Sequence, residues 1–404
     1  MSKFISIQLS EPQRFWSPGD NILGSVHLHV AEQADVQTVS ITFKGKTKAS
    51  FKRNTGNSST TYRSKINLFR FNQVLFRGPF TLPAGQSSWP FQFTVPMDCR
   101  WAMGDIGNPD PIFNPAATQS LPPSFASSVH SRDAHVEYAL EAVMQTSKTF
   151  ASNRDTLIPI YILPCATSMS SDHQRVLGLQ RISIQTLHLD PEIKDRSLTM
   201  RERMRTAFKS DAIPLSLFTV KLDLPGAATL GESVVPILFL EHDVNKTTLE
   251  KMPAVELIAF NISLKFDINI RTEGIFADHE QAWSDGRQVG SWMGRVLLTE
   301  RFDISKLFQG RLAVHWEHTP TFSTYNVAIC YRWKIKYTII CGTKRESREY
   351  SQPCIILGPA RSNPGAEPFM SQHQALLLPS PEPQQQQQQQ PTELEEQLPA
   401  YTKA

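Results

Sequence analysis

Between Val36 and Met97 the sequence carries nine lysines and arginines and no aspartate or glutamate: Lys44, Lys46, Lys48, Lys52, Arg53, Arg63, Lys65, Arg70 and Arg77. The whole chain is close to neutral, with 41 Lys and Arg against 38 Asp and Glu over 404 residues, so the imbalance is local. Ammonium and guanidinium groups at this density make charge-assisted hydrogen bonds to anions. Nucleic acid, a phosphorylated peptide, an anionic lipid or an acidic protein segment would each satisfy them. The same run could be a solvated strand face balanced by acids elsewhere in the fold. A second basic row, Arg332, Lys334 and Lys336, repeats the two-residue spacing.

Near the end of the chain, Leu398-Pro399-Ala400-Tyr401 has the form L-P-x-Y, a variant of P-P-x-Y. Pro399 fixes its own backbone angle. Leu398 and Pro399 would therefore enter an aromatic groove as a short polyproline II turn, with Tyr401 in an adjacent pocket. Pro122-Pro123-Ser124-Phe125 has a related form, but it stands at a strand entry and reads as structural. Catalytic constellations do not emerge. Ser233 lacks the second glycine of a nucleophile elbow, and neither a phosphate loop nor an H-E-x-x-H helix occurs. His27 and His29 share a strand face with no third ligand nearby, so no metal or cofactor is expected. Nothing in the sequence resembles an RNA- or DNA-binding motif, which argues against a nucleic-acid partner. The five cysteines are odd in number and show no C-x-x-C spacing, a pattern that fits reduced thiols in the cytosol. No apolar run is long enough for a membrane-spanning helix, and the alternating N-terminus does not read as a secretion signal.

Strands must carry these residues. Ile5, Ile7 and Leu9 alternate with polar residues, as do Val26, Leu28 and Val30, and Val39, Ile41 and Phe43. Period two means one buried and one wet face, the pattern of antiparallel sheets. If the third strand continues, Lys44, Lys46 and Lys48 share its wet face. Asn54–Thr61 reads as a loop tip, and Trp101–Ala117 as an inserted loop. His135–Val143 is another alternating strand. Thr167–Ser210 breaks the pattern and reads as a connector, with Arg196–Lys209 helix-compatible. Alternation resumes at Phe218–Leu224 and is cleanest over Ile258–Arg271. Glu273–Trp292 reads as a long polar loop. Thr324–Cys341 is a long strand with Arg332, Lys334 and Lys336 on one face, and Ile355–Leu357 is the last. Beyond Pro359 the chain is rich in Pro, Ser and Gln, with seven glutamines in a row at Gln384–Gln390. Such a segment buries too little apolar surface to offset a chain entropy of about 1–2 kcal/mol per residue.

Several stretches, in order, resemble the arrestin family. They are Phe15–Val26, Val39–Thr47 with its I-x-F-x-G, Leu82–Pro96 with P-F-x-F-x-x-P, Leu121–Phe125 with His135–Met144, and then Phe218–Pro225, Leu230–Leu240 and Phe322–Gly342. The resemblance implies an all-β chain of two arrestin-like, immunoglobulin-like β-sandwiches in tandem. The corresponding divisions are residues 1–166, a connector at 167–210, a second sandwich at 211–359, and a disordered tail at 360–404. It also implies adaptor work without enzymatic activity. Lys44, Lys46, Lys48, Lys52 and Arg53 would hold acidic or phosphorylated cytoplasmic segments of membrane transporters or receptors. Arg332, Lys334 and Lys336 would form a second contact surface or a site for anionic lipid. The sequence shows no counterpart of the buried charged cluster of visual and β-type arrestins, and no apolar tail strand that could return to the first domain. Both absences suggest the α-arrestin type, a fungal-like ubiquitin-ligase adaptor. There Leu398, Pro399 and Tyr401 would engage WW domains of a HECT-type ligase. The protein would then act in the cytoplasm, recruited peripherally to plasma membrane and endosomes. The alternative is an arrestin-like trafficking scaffold of the retromer-sorting kind without ligase recruitment.

Overall fold

The alternation read from the sequence becomes strand faces. Val26, Leu28, Val30, Val39, Ile41 and Phe43 are all buried, while their neighbours along the strands point away from the core. The computed structural model describes residues 4–11, 15–56, 58–100, 112–113, 118–146, 154–166, 175–194, 196–208, 213–274 and 278–360.

The first half holds β1 (Ile5–Leu9), β2 (Phe15–Trp16), β3 (Asn21–Val30), β4 (Ala34–Thr55), β5 (Ser58–Leu82), β6 (Gly85–Thr94), β7 (Asp98–Arg100), β8 (Thr118–Ser120), β9 (Phe125–Val129), β10 (Arg132–Thr146) and β11 (Arg154–Ile162). One sheet runs β1-β3-β6. The other runs β2-β11-β10-β4-β5, with β9 also on β10, and β7 and β8 form a small ribbon. Phe43 of β4 meets Phe93 of β6 at 5.8 Å between ring centroids, so the two sheets share a core.

The second half holds β12 (Arg175–Gln185), the helix α1 (Met200–Phe208), β13 (Leu215–Pro225), β14 (Ala227–Thr229), β15 (Ile237–His242), β16 (Val255–Thr272), β17 (His279–Leu297), β18 (Arg301–Asp303), β19 (Phe322–Ser323), β20 (Val327–Cys341) and β21 (Lys344–Leu357). Its sheets run β12-β13-β15-β18 and β14-β21-β20-β16-β17, with β19 on β20. Without β12, this repeats the first half strand for strand apart from the β7-β8 ribbon. Even the short parallel pairing recurs, β2 on β11 and β14 on β21.

Three sequence expectations change. First, the stretch read as a connector contains β12, which pairs along its length with β13. Its apolar residues do not alternate cleanly, because Leu177 and Leu179 are exposed while Gly178 faces the ring of Tyr350. Second, Glu273–Trp292, read as a loop, is largely the strand β17. Third, Asn54–Thr61 is mostly strand, because β4 and β5 run 22 and 25 residues and pair out to Thr55 and Ser58. Both β5 and β17 are edge strands with few buried side chains. Backbone hydrogen bonds hold them, and these leave no apolar period to read. Most of Trp101–Ala117 lies outside the described residues.

The halves meet through equivalent positions. Phe125 and Phe322, each opposite the second residue before a buried tyrosine, pack edge to face at 5.7 Å. Thr47 Oγ1 donates to Asn326 Oδ1 at 2.6 Å, and Asn326 Nδ2 donates to Ser64 Oγ at 3.2 Å. Arg132 donates to the Ala282 carbonyl at 3.0 Å and lies over the Trp283 ring.

Candidate anion-binding face

The I-x-F-x-G strand is held in place by the other motifs. Ile41, Phe43 and Gly45 of β4 stand directly opposite Ala142, Leu140 and Tyr138 of β10. A side chain at Gly45 would begin 2.7 Å from the Tyr138 ring and 2.8 Å from the Phe69 ring, so only glycine fits that close approach. Tyr138 is buried and donates its hydroxyl to the Pro122 carbonyl at 2.7 Å. Pro122 and Pro123 are buried too, and Ser124 Oγ accepts from the Ile162 amide at 2.9 Å. Pro122–Phe125 is therefore part of the core and not a docking motif.

From Val39 to Phe51 the odd residues of β4 face inward and its even residues face the other way. Lys44, Lys46, Lys48 and Lys52 share that face, whereas Arg53 falls on the opposite parity. The neighbouring strand β10 supplies acids in register. Lys44 pairs with Glu141 at 2.7 Å, and Lys48 and Lys46 pair with Glu137 at 2.9 and 3.4 Å. Burial alone would raise the carboxyl of Glu137. The Lys48 hydrogen bond and the charges of Lys48 and Lys46 outweigh it and hold the group below its ordinary value. Lys46 moves the unhelpful way. Burial pushes it down and Lys48 and Lys44 add to that, against the pull of Glu137. One carboxylate between two ammonium groups is satisfied; the middle lysine of three is not. The row is thus largely neutralised within its own sheet.

The other flank of β4 is different. Register places Arg63 opposite Ser50, Lys65 opposite Lys48, Arg70 opposite Lys44 and Arg77 opposite Thr38, all on the wet face. All four are exposed, and no ion pair reaches any of them, nor Lys52 or Arg53, among the described residues. β5 forms the edge of its sheet and lies one strand beyond the reach of Glu137 and Glu141. The sequence flagged these residues only as members of a run; strand register separates them from the paired lysines.

In the second half, Arg332, Lys334 and Lys336 lie together on β20. Arg332 pairs with Asp267 of β16 at 2.9 Å, and Lys334 and Lys336 pair with Glu349 of β21 at 2.6 and 3.0 Å. Hydrogen bonds from Lys334 and then Lys336 hold the Glu349 carboxyl below its ordinary value.

Sequence reasoning missed Arg271. By parity it belongs to the wet face of β16, yet only 2% of it is exposed. Phe113 of the first half covers its guanidinium at 4.3 Å, and Glu280 and Asp278 lie at 3.0 and 3.9 Å. A buried charge with carboxylate partners therefore does sit where the halves meet. Leu398, Pro399 and Tyr401 lie outside the described residues.

Residues 5–103, β1 through β7, match the family model of the arrestin (or S-antigen) N-terminal domain. The match covers the whole basic stretch and supports an adaptor or scaffold role in trafficking. No curated protein matches the chain.

Proposed function

We propose that the chain is a non-enzymatic adaptor that binds cytoplasmic segments of membrane-protein cargo and brings them to a WW-domain, HECT-type ubiquitin ligase, promoting cargo ubiquitination, endocytosis and sorting. The observation that carries this reading is the arrestin-type match over a domain whose wet face is strongly cationic. An adaptor needs surfaces and not a reaction centre, and the duplicated sandwich supplies two broad sheet faces. Lys44, Lys46, Lys48 and Lys52 border the cargo-facing region, with Arg53 beside them on the other parity of β4, and Arg332, Lys334 and Lys336 form a second surface toward cargo or anionic lipid. Leu398, Pro399 and Tyr401 supply the ligase contact. One short motif buries little surface, so a second contact through the shared cargo would raise its effective affinity. The protein acts on the cytoplasmic side of plasma membrane and endosomes.

The ligase link is tested by pull-down of the full chain with isolated WW domains. The double variant Pro399→Ala, Tyr401→Ala should lose capture while the wild type is retained. Equal capture of both would leave a trafficking scaffold without ligase recruitment. In that case, deleting residues 360–404 should also leave cargo turnover intact.

A further inference from the structure

The basic stretch divides into two populations that the sequence cannot separate. On β4, Lys44, Lys46 and Lys48 already have carboxylates at 2.7 to 3.4 Å. An incoming anion must displace Glu137 or Glu141 to use them, and each exchange returns little. On β5, Arg63, Lys65, Arg70 and Arg77 are exposed and no ion pair among the described residues holds them. They line one face of a strand over roughly 45 Å, at about 3.3 Å per residue.

β5 also ends its sheet, and no described strand pairs along its outer side. A 25-residue edge presents a long row of backbone donors and acceptors. Phe71, Val74 and Phe80 are exposed along it. Such an edge invites another strand. A second copy of this chain is a poor candidate, because it would bring arginines and lysines against one another. An extended anionic polypeptide satisfies both features at once, pairing its backbone with the edge and its acidic side chains with the cations. A lipid surface would answer the charges and leave the edge unpaired.

We infer that the free edge of β5, and not the lysine row of β4, receives an extended acidic or phosphorylated polypeptide, which adds to the sheet as a further strand gripped by Arg63, Lys65, Arg70 and Arg77. This rests on the cargo-binding reading and names the strand that does the binding.

The test uses the full chain and three probes: a twelve-residue glutamate-rich peptide, the same peptide with phosphoserines in place of glutamates, and vesicles of phosphatidylserine and phosphatidylcholine. Arg63→Gln, Lys65→Gln, Arg70→Gln should weaken peptide binding by about 10-fold or more at low salt and flatten its salt dependence. Lys44→Gln, Lys46→Gln, Lys48→Gln should change it by no more than about 3-fold, since those charges are already spent on Glu137 and Glu141. Hydrogen exchange should show β5 amides gaining protection with peptide bound. The two peptides distinguish carboxylate from phosphate as the preferred anion. Equal or larger loss in the β4 variant would overturn the inference and leave the cargo reading standing. So would binding without β5 protection, preference for vesicles, or a β5 variant that self-associates with peptide affinity unchanged. Absence of peptide binding by the wild type would remove the cargo reading itself.

Discussion

Tyr138 and Tyr331 hold equivalent places in the two halves, and the difference around them is informative. Each is buried and donates its hydroxyl to a backbone carbonyl at 2.7 Å, to Pro122 in the first half and Thr319 in the second. Opposite Tyr138 stands Gly45, and opposite Tyr331 stands Phe266. The first half fills the space with Phe69 from its edge strand; the second fills it with Phe266 and His318. The wet faces diverge in the same way. Lys46 of β4 corresponds to Asp267 of β16, and Glu141 of β10 to Lys334 of β20, so the signs are exchanged between strands. What the duplication keeps is the hydrogen-bonded frame. Core filling and surface charge vary on it independently, and among the described residues only the first half leaves an edge strand with four exposed cations outside any ion pair.

The largest consequence lies at His318. Burial, then the charges of Arg287 and His315, push its imidazole down to about 4, against Glu317. A folded pKa below the unfolded one means the unfolded state binds the proton more tightly. Stability is then complete above about pH 6.5 and falls as pH drops toward 4, by on the order of 3 kcal/mol at the lower end. Guanidinium unfolding should show the second half weakening between pH 6.5 and 5, before carboxylates titrate. His318→Phe should remove that slope; an unchanged slope would mean the histidine is not its source.

Next comes Gly45. Gly45→Val drives a branched side chain into the Tyr138 and Phe69 rings, an overpacking cost of about 1–3 kcal/mol. Phe266→Leu at the equivalent position trims a half-buried ring instead of overpacking and should cost under about 1.5 kcal/mol. Calorimetry that ranked the two the other way would break the correspondence between the halves.

These contrasts explain what the sequence could and could not show. Strands with one dry face, such as Asn21–Val30, Arg132–Thr146 and Val255–Thr272, were legible because burial imposes period two. β12, β5 and β17 were not, since edge strands are held by backbone bonds and carry mixed side chains on both faces. Lys44, Lys46 and Lys48 were legible as one row, but their partners Glu137 and Glu141 lie some ninety residues away in sequence and meet them only through register. Arg271 misled by parity, because the Phe113 ring that covers its guanidinium comes from the other half. Gly45 was visible as a motif residue, and its reason only once Tyr138 stood opposite.

The smallest effects give the sharpest comparison of the two charged faces. Glu137→Gln and Glu349→Gln each strip one carboxylate from two lysines. Glu137 is about one-third exposed, and its partner Lys46 is less exposed still. Its folded pKa is lowered, so its contribution is present above the ordinary carboxylate range and lost as pH falls below it. Solvent screening keeps the cost of Glu137→Gln at about 1 kcal/mol or less. The substitution should lower the thermal midpoint slightly at pH 7, and the gap from wild type should close as pH falls below the ordinary carboxylate range. It should also free Lys46 and Lys48 and raise affinity for the acidic peptide. Glu349 sits in open solvent between Lys334 and Lys336, where side-chain entropy and salt cancel most of the attraction. Glu349→Gln should leave the midpoint unchanged and change peptide affinity only at low salt. If it instead destabilised as much as Glu137→Gln, the two faces would be electrostatically equivalent, and edge position on β5 would be all that distinguishes the first half.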